Sequence, residues 1–223
     1  EVEIESCSSG GARVDLGILE RTDRVWASDC NDALERQTIQ RWTEAILPPE
    51  LVGTHVGPTT SHTTARTHSL SFRAITAMFG HFGIEWDVRT LDESGLLELS
   101  EAIALYKKHR ALIHSGVSVH ADLVEPAYLL DGSEALYSFV SVATSFDETP
   151  GRVGFPGLNP DTSYAVKVVF PTATSPYGDR ANTGWIPGGF TATGRFLAEV
   201  GLPMPILNPE QGVLIHLMES VRA

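Results

Sequence analysis

The sequence predicts a two-part fold, α/β in its first half and all-β in its second. Up to about residue 112, short apolar runs alternate with helical stretches, the rhythm of a parallel strand–helix array. Beyond that point the runs are short and are separated by Asp-Gly, Asn-Pro and Gly-Gly turns, which indicates antiparallel strands. We therefore expect two domains, residues 1–112 and residues 113–223, the second an antiparallel β-sandwich.

The first half is expected to contain four strand–loop–helix units. The expected strands are Val2–Glu5, Arg24–Ser28, Leu51–Val56 and Ile84–Val88. A helix should begin after Asn31 or Asp32, either of which can cap it, and end before Pro48. Two further helices are expected over 69–79 and from Asp92 to about Arg110.

The second half is expected to contain short strands of alternating apolar and polar residues. They are Ser115–Val119, Ala127–Leu130, Ala135–Ala143, Ala165–Phe170 and Gly212–Met218.

Composition and charge exclude several classes of function. The chain has 223 residues, of which 42% are hydrophobic and 20% charged, and its formal net charge of −12 opposes binding to nucleic-acid phosphates. No apolar run approaches the roughly 20 residues of a membrane helix, so we expect neither nucleic acid nor a membrane as partner. The two cysteines, Cys7 and Cys30, lack a disulfide-rich spacing, and we expect a cytoplasmic protein.

The candidate site lies where the first two strands end, because the carboxyl ends of parallel strands share one edge. Asp29 follows an apolar strand beside Trp26, where a partly dry site would raise the pKa of its carboxyl as a general acid requires. Cys7 opens the preceding Ser/Gly loop, in which Gly10 allows close approach to a ligand. The residues alone leave open whether Cys7 fills buried space or lines a pocket.

The common motifs of other enzyme classes are missing from the sequence. It contains no G-x-S-x-G elbow, P-loop, H-E-x-x-H or G-x-G-x-x-G pattern. The spacing of His55, His62 and His68 matches no metal-ligand pattern, so we interpret them as ordinary hydrogen-bonding side chains and expect no metal or cofactor.

Several short blocks of residues occur in an order that is typical of one enzyme family. They are Glu5-Ser6-Cys7-Ser8-Ser9-Gly10-Gly11-Ala12-Arg13, Asp15-Leu16-Gly17, Trp26-Ala27-Ser28-Asp29, Asn31-Asp32-Ala33 and Glu35-Arg36. Together with similarity over much of 48–80 and 194–202, these blocks strongly resemble the α-galactosidases of glycoside hydrolase family 36.

The resemblance implies the C-terminal half of a (β/α)₈ TIM barrel, strands five to eight, followed by the β-sandwich. It also implies hydrolysis of terminal α-galactosides of the melibiose and raffinose type. Two carboxylic acids would carry out this reaction with retention of the anomeric configuration. By position, Asp29 matches the family's general acid/base, and Cys7, Ser8, Ser9 and Gly10 match the loop that contacts galactose. The expected partner is therefore an α-galactoside oligosaccharide, and we expect the full-length enzyme to be a homo-oligomer.

The chain departs from the family pattern in ways that matter for activity. Ala12 replaces a glycine of the sugar-binding loop, and Cys30 follows Asp29 where Asp or Asn is usual. The family's nucleophile is the Asp of a Lys-x-Asp motif, and no lysine of this sequence is followed two places later by Asp. We therefore expect a fragment of a longer enzyme, carrying the acid/base without the nucleophile and inactive by itself.

Other functions stay open at this point. The fragment could be a non-catalytic carbohydrate-binding or assembly module, with Trp185 as a sugar platform, although a core tryptophan is the more ordinary interpretation. A related activity of the same family, α-N-acetylgalactosaminidase or galactosyl transfer to sucrose, also stays open, since residues that contact the sugar's 2-substituent can lie upstream of this sequence.

Overall fold

The structure, a computed structural model, describes residues 2–7, 14–119, 124–128, 132–172 and 183–220. The chain divides into two compact units, Glu1–His114 and Ser115–Ala223. The boundary expected after residue 112 falls slightly before this division, within the long helix Glu93–Ser115.

The first unit contains four strands in parallel, in the order of the chain. They are β1 (Glu5–Ser6), β2 (Arg24–Val25), β3 (Gly53–Val56) and β4 (His81–Ile84). β1 pairs with β2 and β3 with β4, and a parallel bridge between Val25 and Val52 connects the two pairs. The predicted parallel array is confirmed, with strands shorter than the apolar runs suggested.

Three α-helices alternate with these strands: α1 (Ala33–Glu44), α2 (Leu70–Ala77) and α3 (Glu93–Ser115). Asp32 and Ser69 cap α1 and α2 through their side chains. Between β1 and β2, residues 14–23 form only a 3₁₀ turn at Ile18–Glu20, so the helix of the first predicted unit is not found in that described part. Within the parts of the chain that the structure covers, no helix has the length and apolar composition needed to cross a bilayer.

The position predicted for β4 is wrong. The strand covers His81–Ile84, ahead of the predicted Ile84–Val88, because Gly83 is part of the strand and Gly80 lies just before it. A Cβ at Gly83 would lie 2.8 Å from Cδ2 of the His55 ring on β3. Glycine is therefore required by the packing of a neighbouring strand, a contact that local sequence does not reveal.

The core of the first unit lies between the strands and the helices that follow them. Helix α2 is buried along almost its whole length, since it packs against both β3 and β4. The side chains with 2% exposure or less that fill this layer include Val25, Leu47, Val52, Val56, Phe72, Ala74, Ile75, Ala77 and Met78.

The second unit is mainly antiparallel. Its strands are β5 (Val117–Ser118), β6 (Val124–Tyr128), β7 (Glu134–Ser141), β8 (Arg152–Val153), β9 (Ser163–Phe170), β10 (Phe190–Thr193), β11 (Leu202–Pro203) and β12 (Gln211–Glu219). Six of them form one sheet in the order β10-β9-β12-β7-β6-β5, β8 pairs with β11, and a short helix α4 (Gly194–Glu199) follows β10. Antiparallel pairing is confirmed throughout the described strands of this unit, and the sandwich stays a prediction.

The long strands of this sheet bury one contiguous apolar cluster. Side chains of β7, β9 and β12 meet α4 and the segment around Trp185 in this cluster. Alternation along these strands directs one face into the cluster, as the sequence pattern predicts.

Replacing Gly80 by alanine is expected to destabilise the first unit by about 1–3 kcal/mol. The added Cβ would lie 2.5 Å from Cγ2 of Thr54 and 2.8 Å from the Val52 carbonyl oxygen, part of the backbone at the start of β3. Gly188→Ala is the control, because no atom lies within 4 Å of its added Cβ. Denaturant unfolding of both variants tests this, and equal stability would contradict the close approach.

Candidate active site

The parallel register of β1 and β2 brings two predicted site segments side by side. Ser6 pairs with Val25, and the Trp26 N–H donates to the Ser6 carbonyl at 2.8 Å, which extends the ladder by one residue. Cys7 and Trp26 therefore directly follow the ends of neighbouring strands. We call the edge at which these strands end the carboxyl edge; in parallel α/β folds, ligand sites lie along this edge.

Cys7 and Asp29 meet at the carboxyl edge. The Cys7 thiol lies 4.0 Å from Oδ1 of Asp29 and is oriented to donate to it. Both residues are exposed, so the interpretation of Cys7 as a buried space-filling residue is wrong. The structure thus brings together the two chemically active side chains that the sequence singled out in separate segments.

Among the described residues, the partly dry surroundings expected for Asp29 are not found, and the Trp26 ring packs against other side chains. Trp26 is 6% exposed, and its ring is covered by the Arg36 guanidinium at 3.6 Å and stacked on the His55 ring at 4.1 Å. Asp29 itself is exposed to solvent in this chain.

Ser8, Ser9 and Gly10 lie outside the described residues. Their contact with a sugar therefore stays a prediction from the resemblance, as does the effect of Ala12 on the shape of the loop.

Asp32 serves as a buried N-cap close behind Asp29 in the sequence. Its Oδ1 accepts from the backbone N–H groups of Leu34 and Glu35 at 2.9 and 3.1 Å. The same carboxylate contacts the Thr64 hydroxyl, the Arg66 guanidinium at 3.3 Å and His68 Nε2 at 3.2 Å. Although Asp32 is fully buried, its oxygens are thus well supplied with donors, and the cap ties α1 to the loop after β3.

The environment of Asp32 favours its charged form. Burial raises the pKa of this carboxyl, but hydrogen bonds from Thr64 and the Glu35 N–H, with the attraction of His68, outweigh burial and leave the pKa below its ordinary value. A lowered pKa in the folded state means that the stabilisation is complete above the unfolded pKa of about 4 and is lost as the pH falls below it.

Two of the three histidines in the predicted loop region have structural partners. His55 Nδ1 lies 3.1 Å from Oε2 of Glu85, while its ring stacks on Trp26. His68 is buried against Asp32. These contacts fit the interpretation of both as ordinary hydrogen-bonding side chains.

Sequence reasoning missed the role of Arg36, which it quoted only as part of a motif. This residue is 2% exposed, and it donates to backbone carbonyls on either side of Asp29. Its place in the first turn of the predicted helix was visible in the sequence, but neither its burial nor its partners could be identified from spacing.

Trp185 of the second unit is a core residue. It is 5% exposed, and its indole N–H donates to the Pro203 carbonyl at 2.8 Å. Its interpretation as an exposed sugar platform is wrong, and the core interpretation is confirmed.

Comparison with known proteins accounts for both halves of the chain. The family described as Melibiase matches residues 1–116, and the Glycosyl hydrolase family 36 C-terminal domain matches residues 128–217. The chain belongs to the family 36 α-galactosidases. The resemblance detected in the blocks around Cys7 and Asp29 is thereby confirmed.

Individual relatives agree with this assignment. The α-galactosidase of Escherichia coli is 38% identical over 231 residues, which cover 99% of this chain and 33% of that protein. Alpha-galactosidase C of Emericella nidulans is 35% identical over 170 residues, 73% of this chain and 22% of that protein. The chain thus spans about a third or less of the length of these curated relatives.

Solved structures of the family share the fold of this chain. The galactosidase domain of the α-galactosidase–sucrose kinase AgaSK superposes with a TM-score of 0.83 at 27% identity, covering 98% of this chain and 29% of that one. A variant of the α-galactosidase AgaA from Geobacillus stearothermophilus, in complex with raffinose, has a TM-score of 0.80 at 26% identity, covering 97% and 28%.

Replacing Asp32 by asparagine is expected to lower the free energy of unfolding near neutral pH by about 1–3 kcal/mol. The amide oxygen can still cap α1, but the amide group cannot reproduce the ion pair with Arg66 or the carboxylate's contact with His68. The deficit should shrink towards about pH 3, because the stabilisation that comes from the lowered pKa of Asp32 declines as the pH falls below the unfolded pKa of about 4.

Denaturant titrations at the two pH values measure this effect, with the exposed Asp147→Asn as control. A deficit of equal size at both pH values would contradict a charged carboxylate at position 32.

Proposed function

We propose that this chain supplies the acid/base part of a retaining α-galactosidase that hydrolyses terminal α-galactosides of the melibiose and raffinose type. One observation carries the proposal: an exposed carboxylate, Asp29, and an exposed thiol, Cys7, meet at the ends of adjacent parallel strands. The substrate class is supported by the names of the relatives and by the raffinose bound to one of the similar structures.

Asp29 is exposed, so a sugar can reach its carboxyl, and we assign it both proton transfers of the retaining mechanism. In the first step its carboxyl gives a proton to the glycosidic oxygen as the bond to the leaving sugar breaks. In the second step the resulting carboxylate takes a proton from water, which attacks the galactosyl–enzyme intermediate. Cys7, at 4.0 Å from the carboxylate, is close enough to contact the same sugar.

The second carboxylate of the mechanism is proposed to lie on a further segment of polypeptide. A retaining site needs a nucleophile about 5–5.5 Å from the acid/base. The lysines of this chain are Lys107, Lys108 and Lys167, and none belongs to a Lys-x-Asp sequence. The relatives are about three times as long, which supports a complete enzyme in which β1 to β4 form the second half of a TIM barrel. We use "complete enzyme" below for this chain joined to the segment that carries the nucleophile.

In the complete enzyme, Asp29→Asn is expected to lower kcat/KM for melibiose about 10²–10⁴-fold. The loss for a nitrophenyl α-galactoside should be far smaller, because nitrophenolate leaves without needing a proton. The exposed Asp15→Asn serves as control. Equal losses on the two substrates would contradict the assignment of Asp29 as the acid/base.

The chain of residues 1–223 by itself is expected not to hydrolyse a nitrophenyl α-galactoside, since no covalent intermediate can form without the nucleophile. Release of nitrophenol is followed by absorbance at high protein concentration, with the complete enzyme as positive control. Turnover by the isolated chain that is abolished by Asp29→Asn would show that its nucleophile lies within these residues.

A further inference from the structure

Asp29 lies in a short segment in which three successive peptide groups are fixed by hydrogen bonds to side chains. The Ser28 carbonyl accepts from the Arg36 guanidinium, and the Cys30 carbonyl accepts from Nε of the same side chain at 2.5 Å. Between them, the Cys30 N–H donates to the Ser28 hydroxyl at 3.2 Å. The peptide planes before and after the Asp29 Cα are therefore both fixed, and with them its φ and ψ angles.

The guanidinium that holds this segment is itself held rigidly. Arg36 is 2% exposed and lies 3.6 Å from the centroid of the Trp26 ring, a cation–π contact away from water. Trp26 stacks in turn on His55, with 16° between the ring planes, and His55 pairs with Glu85. The contacts thus run from α1 across the end of β2 to β3.

We propose that Arg36 is a positioning residue for Asp29, which it serves by fixing the backbone on both sides of the acid/base without touching the substrate. The inference rests on the proposed function of Asp29. A proton donor displaced by about 1 Å can lose on the order of 10² in rate, so a rigid backbone at this residue has a direct effect on protonation of the leaving group.

Lysine cannot replace this arginine. A guanidinium donates in two fixed directions from one plane, whereas an ammonium group is a single point of charge that stacks less well on an aromatic face. Arg36→Lys therefore keeps the positive charge, but the lysine cannot donate to the Ser28 and Cys30 carbonyls at the same time.

The chain contains a closely matched control, Arg73 on α2. It is 4% exposed, lies 5.0 Å from the Trp86 ring centroid and donates to the Gly57 carbonyl after β3. Burial lowers the pKa of Arg73 to about 10, against the attraction of Glu98, so it is charged at neutral pH. Arg73→Lys disturbs the same kind of contact in another loop.

The first test compares the two lysine variants in the complete enzyme with melibiose and a nitrophenyl α-galactoside. Arg36→Lys should lower the ratio of kcat/KM for melibiose to that for the aryl substrate about tenfold or more, and Arg73→Lys should leave it within about twofold. An unchanged ratio in Arg36→Lys, or an equal fall in both variants, would overturn the proposal.

Asp29→Asn is measured in the same series. If it leaves the substrate ratio unchanged, the proposed function of Asp29 fails, whatever Arg36 does. If it lowers the ratio and Arg36→Lys does not, only the positioning role fails.

A second test needs no activity and uses the chain alone. In a Cys7→Ser background, Cys30 is the single thiol, half-buried with Sγ 3.3 Å from Oγ1 of Thr63. The rate at which iodoacetamide alkylates this thiol, measured well below the melting temperature, reports the mobility of the backbone from Ser28 to Cys30. Arg36→Lys should raise this rate several-fold and Arg73→Lys should not; equal rates in the two variants would overturn the proposal.

If Arg36→Lys does not fold, Trp26→Phe decides, because it keeps the guanidinium and its donors while it weakens the aromatic contacts of this ring with Arg36 and His55. A smaller shift in the same direction in the alkylation rate and the substrate ratio is expected. No shift in either would overturn the proposal.

Discussion

The buried carboxylate of Asp32 is the contact on which the carboxyl edge of the first unit depends. It accepts from the first backbone N–H groups of α1, and it also binds Thr64, Arg66 and His68 from the loop after β3. A buried charge is tolerated only when its partners are all in place, so the start of the helix and the loop must assemble together. This requirement fixes the end of the segment in which Asp29 lies.

Two aspartates close together in the sequence therefore have opposite surroundings. Asp32 is fully buried, and its hydrogen bonds keep its pKa low, which suits a structural cap. Asp29 is exposed, and its Oδ1 lies 4.0 Å from the Cys7 thiol at the carboxyl edge. Arg36 connects the two functions, since it belongs to the helix that Asp32 caps and holds the backbone around Asp29.

Features that depend on neighbouring residues in the sequence could be predicted, and those that depend on distant contacts could not. A cap at Asn31 or Asp32 and the helix that follows were predictable, because Asn and Asp before a helical pattern favour an N-cap, and the structure uses Asp32. The position of β4 was not predictable, since Gly80 and Gly83 are needed by Thr54 and His55 on another strand.

The burial of Trp26 under Arg36 likewise depends on a distant contact, because a helix residue reaches back over the end of a strand. The pairing of Cys7 with Asp29 was predictable only in outline, from the rule that parallel strands end at one edge.

Azide tests most directly whether Asp29 acts as acid/base opposite a nucleophile on another segment. In the complete enzyme carrying Asp29→Ala, azide can occupy the space left by the carboxylate and attack the galactosyl–enzyme without a general base. With a nitrophenyl α-galactoside, the account predicts faster turnover on adding azide and an α-galactosyl azide product, identified by proton NMR. A β-galactosyl azide would mean that Asp29 is the nucleophile, and that result would contradict the account.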